Sequence, residues 1–496
     1  MNSQRHTHLS TPRFTRREIL AGGAAGALSF LPCTRVYASA RGENRPNVVV
    51  FLIDTLRADH LQCYGHTPAC SPSILEFAQT ATVFEQCFAV ASWTKPSIAS
   101  LFTGVSPRVH QMVIGEWSPD FDEKTGLRVL NENLTSFDEI YKDAGYTTAW
   151  FLANPMVTQD LGFGRGFCHY WYAPEENSDR QTGEVVRWLK EGGREPFLLF
   201  VHVLDPHDPY LCTPAEYRRL HGRSIEDGLA GLPGRDAEQL HDFHLLKWND
   251  RIERTGRLEF AGISPSGVAY LRSLYETEIR RVDGHFGQIV GALQETGLYN
   301  RTAVVLTSDH GEAFNEHGRF YHGNDLFDNE LHVPLIVRMP GQTEGRRVPW
   351  SVGQCDICPS LLSLIDAPPP THVQGRSLFD TDGTLVIHGH RDVLAYFSHY
   401  RVDPCQWDAA LIRGPFKAIL RHGEERPNVF DRNADPGERQ DLLAGVTQPP
   451  PAVRDVEAAL GRRRRENEAL AARFDAPKYV TPAEGSQEAL RALGYL

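Results

Sequence analysis

A chain of 496 residues with 41% hydrophobic residues can bury a large core, which argues against a disordered chain or a small disulfide-stapled module. The net charge of −12 argues against any function that rests on attraction to nucleic acid or to an anionic membrane. The nine cysteines are scattered without a dense framework, so their spacing assigns no disulfide.

The chain opens with Thr15-Arg16-Arg17-Glu18-Ile19-Leu20, then a Gly/Ala-rich apolar stretch to Leu31, then Ala38-Ser39-Ala40 in the small-x-small form of a cleavage site. This pattern predicts a twin-arginine signal peptide over residues 1–40, with the twin-arginine export machinery as a partner and the periplasm, or another exported location, as the destination. The apolar stretch is too short and too rich in glycine to span a bilayer, so no membrane anchor is expected after signal removal. Removal takes away five Arg and one Glu and moves the net charge to −16.

Continuous apolar runs of strand length follow at 47–53, 146–152, 196–203 and 302–307, a pattern that suits parallel strands buried on both faces. Between the last two, Tyr270, Leu274, Ile279, Val282, Phe286, Ile289 and Leu293 recur at helical spacing and predict a helix over about 266–296. The alternation predicts an α/β fold with a large, mostly parallel sheet flanked by helices. Residues 214–263 are polar and lack strand periodicity, and read as an insertion near the substrate entrance. Beyond Ser377 the character changes: 385–387, 393–397 and 416–420 read as short strands and 453–473 as a charged helix. The expected organisation is a catalytic domain over 41–377 and a small C-terminal α+β subdomain over 378–496.

Asp54 follows the first strand, at the carboxyl end where open α/β sheets place ligands, although an isolated Asp there also suits a helix cap. In Ser92-Trp93-Thr94-Lys95-Pro96-Ser97, the proline suits a first helical turn, and a helix over 97–102 would turn free N–H groups and a positive partial charge toward an anion. Thr94 itself reads as an N-cap, a nucleophile or both. Asp309 and His310 end the strand 302–308. Cys355-x-x-Cys358 has the form of half a zinc or redox motif, but no second pair accompanies it.

Together these segments resemble the sulfatase family of the alkaline phosphatase superfamily, over nearly all of residues 46–496. The resemblance is carried by Asp54 with Cys63-Tyr64-Gly65, by 92–104, by His202-Val203-Leu204-Asp205-Pro206-His207, by Asp309-His310-Gly311-Glu312 through His317-Gly318, and by Val429–Glu438. The Cys355 to Leu362 segment resembles a helix start that many sulfatases carry. In that family the nucleophile lies in C-x-P-S-R followed by A-S-L-x-T-G. Here Thr94 replaces the cysteine and Ile98 the arginine, and many relatives carry two adjacent aspartates where this chain has Asp54-Thr55.

The resemblance implies one divalent metal ion held by Asp54, Thr94, Asp309 and His310. A mixed His/carboxylate set favours manganese or zinc, with calcium or magnesium as alternatives. It implies catalytic roles for Thr94, His207 and His322, with His322 standing where many sulfatases keep a lysine and able to protonate the leaving oxygen. It implies a pocket for the substrate anion from Lys95, His207 and His322, with solvent as the other direction open to Lys95. His202 reads as a core or supporting residue, and His317 as a supporting or surface one. Threonine cannot become formylglycine, so none is expected. The expected activity is hydrolysis of phosphate mono- or diesters by an exported, metal-dependent enzyme; the alternatives are a sulfuric ester hydrolase and a catalytically inactive anion-binding protein. The substrate is expected to be a small-molecule or glycan- or lipid-derived ester, its organic part set by loops such as 214–263.

Overall fold

The apolar runs form the middle of an eight-stranded sheet. In chain order its strands are β1 (Asn47–Ile53), β2 (Thr82–Phe88), β3 (Thr147–Leu152), β4 (His169–Tyr172), β5 (Phe197–Val203), β6 (Thr302–Ser308), β7 (His332–Arg338) and β8 (Arg346–Gly353). Their order across the sheet is β8-β2-β7-β6-β1-β5-β3-β4. Every neighbouring pair is parallel except the two that β7 makes with β2 and β6. This computed structural model describes residues 45–112, 127–173, 178–191, 193–240, 262–398, 406–475 and 478–480, all within one compact unit spanning 37–496. The predicted signal peptide lies outside the described residues.

Side chains of a strand alternate between faces, and a sheet covered on both sides needs apolar residues at every position. β1 meets that requirement: Val48, Val50 and Leu52 enter one apolar layer, and Val49, Phe51 and Ile53 the other. The first layer holds helix α1 (Thr94–Thr103), which is buried along its whole length. Phe102 of α1 packs against Phe137, Trp150 and Phe200, with ring centroids 4.9, 5.6 and 5.2 Å away. The second layer holds the 31-residue helix α2 (Pro265–Glu295), whose predicted core positions are all buried.

A four-stranded antiparallel sheet, β9 (Val393–Ser398), β10 (Trp407–Arg413), β11 (Phe416–Leu420) and β12 (Asn428–Asp431), packs with helix α3 (Pro451–Ala471) around a third apolar core. The expected strand at 385–387 is absent, and Leu385 forms only an isolated bridge to Phe379. The described part of the 214–263 segment folds as three short helices, Pro214–His221, Ile225–Ala230 and Gly234–Leu240. Among the described residues no helix is long and apolar enough to cross a membrane.

Candidate active site

The sheet delivers the site because the carboxyl ends of adjacent parallel strands open on one edge, where such folds bind ligands. Asp54 follows β1, Asp309 and His310 follow β6, Asn154 lies just beyond β3, and His202 and His207 lie at and beyond the end of β5. β2 runs in the same direction and leads through residues 89–93 into α1, which brings in Thr94.

Asp54, Asp309 and His310 are fully buried, and one ligand atom from each lies within 4.8 Å of the others. His310 Nδ1–H donates to the Gly311 carbonyl at 2.9 Å, which leaves Nε2 as a lone pair facing the cluster. Nε2 stands 3.3 Å from Thr94 Oγ1, 3.4 Å from Asp309 Oδ2 and 3.6 Å from Asp54 Oδ1. Burial pushes His310 down to about 4, so the imidazole is neutral and does not balance the carboxylates. Asp54 Oδ1 and Asp309 Oδ2 are buried and accept no hydrogen bond among the described residues. Two orphan carboxylate oxygens beside an imidazole lone pair are costly without a counter-charge, and a divalent cation fits them.

The carboxylates differ in support. Asp54 Oδ2 accepts from Asn154 Nδ2 at 2.7 Å and lies 3.1 Å from His202 Nε2. Burial opposes its charge, but the His202 hydrogen bond and the nearby histidines outweigh that and hold Asp54 below the usual carboxylate range. Asp309 is pushed up by burial and then by the charge of Asp54. Its Oδ1 accepts the Thr55 N–H at 3.2 Å, and Thr55, a β-branched residue, is held at φ 56° with Tyr275 Oη–H donating to its carbonyl at 2.7 Å. That left-handed conformation is strained for such a side chain and is fixed from two sides. Gly311 is required for a different reason: a Cβ there would collide with the Asn329 carbonyl.

Thr94 is the first residue of α1, with Trp93 at the cap position, so the N-cap role is not the one it occupies. The helix starts three residues earlier than the 97–102 expectation. Lys95 is fully buried, which removes the solvent-facing alternative, and Ile98 lies within the apolar layer. The His322 ring stands 4.5 Å from that of His310 and 4.7 Å from that of His207, so the structure gathers the three imidazoles. Burial, then His322, lowers the basicity of His207. His317 is exposed and stacks on Phe327 with ring centroids 3.5 Å apart. Cys355 and Cys358 are free thiols outside the cluster, and among the described residues this cluster alone gathers three metal-type ligands.

Two supporting residues escaped the sequence reading. Asn154 is 100 residues from Asp54, and only its place past a strand end could have marked it. Glu312 is fully buried, with Oε2 3.2 Å from His322 Nδ1, and burial pushes it well above the usual carboxylate range.

The sulfatase family, on the alkaline phosphatase-like fold, is a family of ester-bond hydrolases, and a large mixed sheet with acidic residues and histidines at its carboxyl edge is the architecture seen here. The sulfatase family model matches residues 46–367, and the chain belongs to that family. It is 24% identical over 455 residues to the uncharacterized sulfatase YidJ of Escherichia coli K12, covering 81% of this chain and 84% of that protein. It is also 24% identical over 429 residues to the Delta 4,5-hexuronate-2-O-sulfatase of Bacteroides thetaiotaomicron, covering 82% and 86% of the two chains. Among solved structures, the phosphonate monoester hydrolase of Agrobacterium radiobacter superposes with a TM-score of 0.64 at 22% identity, covering 86% of this chain and 96% of that one.

Proposed function

We propose that the protein is an exported, metal-dependent hydrolase that cleaves phosphate mono- or diesters with Thr94 as nucleophile. The observation that carries this reading is the Thr94 hydroxyl, buried at the start of α1 and 3.3 Å from Nε2 of His310 in the Asp54, Asp309 and His310 cluster. A divalent cation on these three residues and Thr94, manganese or zinc by the mixed donor set, would supply the positive charge that lowers the pKa of the hydroxyl. Thr94 then attacks phosphorus and forms a covalent ester, which a second attack by water resolves. A formylglycine hydrate expels its sulfate with a second hydroxyl. Threonine has only one, which favours the double displacement.

His207, Lys95 and the N-terminus of α1 hold the non-bridging oxygens, and His322 protonates the leaving oxygen. The same fold carries a phosphonate monoester hydrolase, so it is not confined to sulfate. Hydrolysis of sulfate esters is the second reading, favoured by the names of the curated relatives. The two are separated by assaying aryl phosphate, bis-aryl phosphate, phosphonate ester and aryl sulfate side by side with defined metals. Faster turnover of the phosphorus esters is expected, and a preference for aryl sulfate would overturn the phosphate reading.

Replacing Thr94 with alanine should lower turnover by about three orders of magnitude or more while substrate still binds, and Thr94→Ser should keep part of the activity. Normal turnover by the alanine variant would end the nucleophile assignment. Export rests on Arg16-Arg17, and changing both to Lys should trap the precursor in the cytoplasm; unchanged periplasmic yield counts against it.

A further inference from the structure

The loop that carries His322 is held in an unusual shape. Asn315, His317 and Tyr321 have φ values of 70°, 52° and 67°, left-handed conformations that cost non-glycine residues on the order of 1 kcal/mol each. At the end of the loop the Gly323 N–H donates to the Ser92 carbonyl at 2.7 Å, two residues before Thr94. The loop thus sets the His322 ring beside the start of α1 and between His310 and His207. Behind the ring, Oε2 of Glu312 stands 3.2 Å from Nδ1. Glu312 is fully buried and outside the cation cluster; Arg57 binds its backbone carbonyl at 2.9 Å, not its carboxylate, and among the described residues Oε1 accepts no hydrogen bond.

We propose that Glu312 is the positioning residue for His322: its Oε2 accepts Nδ1–H, so that Nε2, on the opposite edge of the ring, is the atom that gives and takes the proton at the ester. The inference rests on the reading of His322 as the acid. Of the two Glu312 side-chain oxygens, Oε2 alone has a hydrogen-bond partner among the described residues, and that partner is the His322 ring. The hydrogen bond fixes both ring orientation and tautomer, as carboxylates do for catalytic histidines generally.

The step balances as follows. Thr94 enters ionised; its Oγ1–phosphorus bond forms while the bond from phosphorus to the leaving oxygen breaks, and that oxygen takes the Nε2 proton. Water then attacks phosphorus, the Oγ1–phosphorus bond breaks, and one proton of the water returns to Nε2. Nδ1–H stays on Glu312 throughout, Thr94 leaves ionised, and one water is consumed per ester.

The test compares Glu312→Gln, His322→Ala and the double variant on 4-nitrophenyl, phenyl and ethyl phosphate. Glu312→Gln keeps the side-chain volume, and its metal content and unfolding temperature should match the parent protein. It should lose about 100-fold in kcat on phenyl and ethyl phosphate, whose leaving oxygens need a proton, and less than about 10-fold on the nitrophenyl ester. In the His322→Ala background it should cost nothing further. Equal losses on all three esters, or additive losses in the double variant, would overturn the proposal. If 4-nitrophenyl sulfate is turned over in preference to the phosphate, the phosphate reading has failed, and the same comparison on nitrophenyl and phenyl sulfate decides the role of Glu312 separately. Nitrogen NMR of His322 gives a readout independent of turnover: a proton on Nδ1 in the parent and mixed tautomers in Glu312→Gln are expected, and an unchanged spectrum counts against the role.

Discussion

Asn154 and His202 converge on one oxygen of Asp54 and thereby turn the other, Oδ1, toward His310 and Asp309. Groups that hold a ligand in place matter nearly as much as the ligand, so Asn154→Ala should weaken metal binding by about 10- to 100-fold. The fold should survive, since Asn154 otherwise only accepts the Met156 N–H at 2.8 Å. Metal titration followed by a thermal scan checks both halves, and unchanged affinity would show that His202 alone orients Asp54. Asp54, Thr94, Asp309 and His310 were legible in the sequence because each sits at a strand end or helix start inside a long motif. Asn154 and Glu312 were not, because their partners are set by strand order and loop shape, which no local pattern encodes.

Strands β1, β3, β5 and β6 were legible because both faces of each are buried, which writes a continuous apolar run. The flanking strands write no such run: β2 carries Glu85-Gln86, β7 carries Pro334, and β8 begins Arg346-Arg347 and contains Pro349. The short helix Phe137–Asp143 beside β3 carries an acidic residue of a different kind. Asp138 is fully buried, and its Oδ2 accepts the Gly166 N–H at 2.7 Å, where a Cβ on Gly166 would strike the Asp138 backbone. Burial pushes Asp138 up to about 6 from 3.8, against the hydrogen bonds from Ser136 and Gly166. A raised folded-state pKa means that the native state binds the extra proton. Its contribution to stability is therefore full below about pH 4 and lost as pH rises through about 6, a change of about 3 kcal/mol. Asp138→Asn keeps an acceptor for Gly166 and cannot titrate. Urea unfolding of both proteins across this range should show the stability of the parent relative to the variant falling with pH and flattening above it, and parallel curves would refute the assignment.

At the scale of the whole molecule, the C-terminal sheet grips the chain that leads away from His322. Lys417 of β11, fully buried, donates to the Leu326 carbonyl at 3.0 Å and pairs with Asp328 at 2.5 Å and Glu438 at 2.7 Å. Arg432 holds the other oxygen of Asp328 at 2.7 Å with its guanidinium over the Phe88 ring, and Arg421 holds Asp325 at 2.6 Å. The far end of the gripped segment reaches the approach to Thr94, since the Ala89 N–H donates to Leu331 O at 2.8 Å. One cation therefore joins the C-terminal core to residues flanking both His322 and Thr94. Lys417→Met removes the charge, keeps much of the volume and leaves buried Glu438 without its cation while Asp328 keeps Arg432, a change that should destabilise by about 3–5 kcal/mol. Adding Glu438→Gln should recover most of that loss, because the penalty belongs to the stranded charge and not to the missing pair. Denaturant unfolding of the single and double variants measures this, and turnover should fall in the single variant and return partly in the double. A single variant as stable as the parent would mean that the C-terminal sheet holds its place through its apolar core alone, and that the His322 segment depends on contacts within the larger sheet.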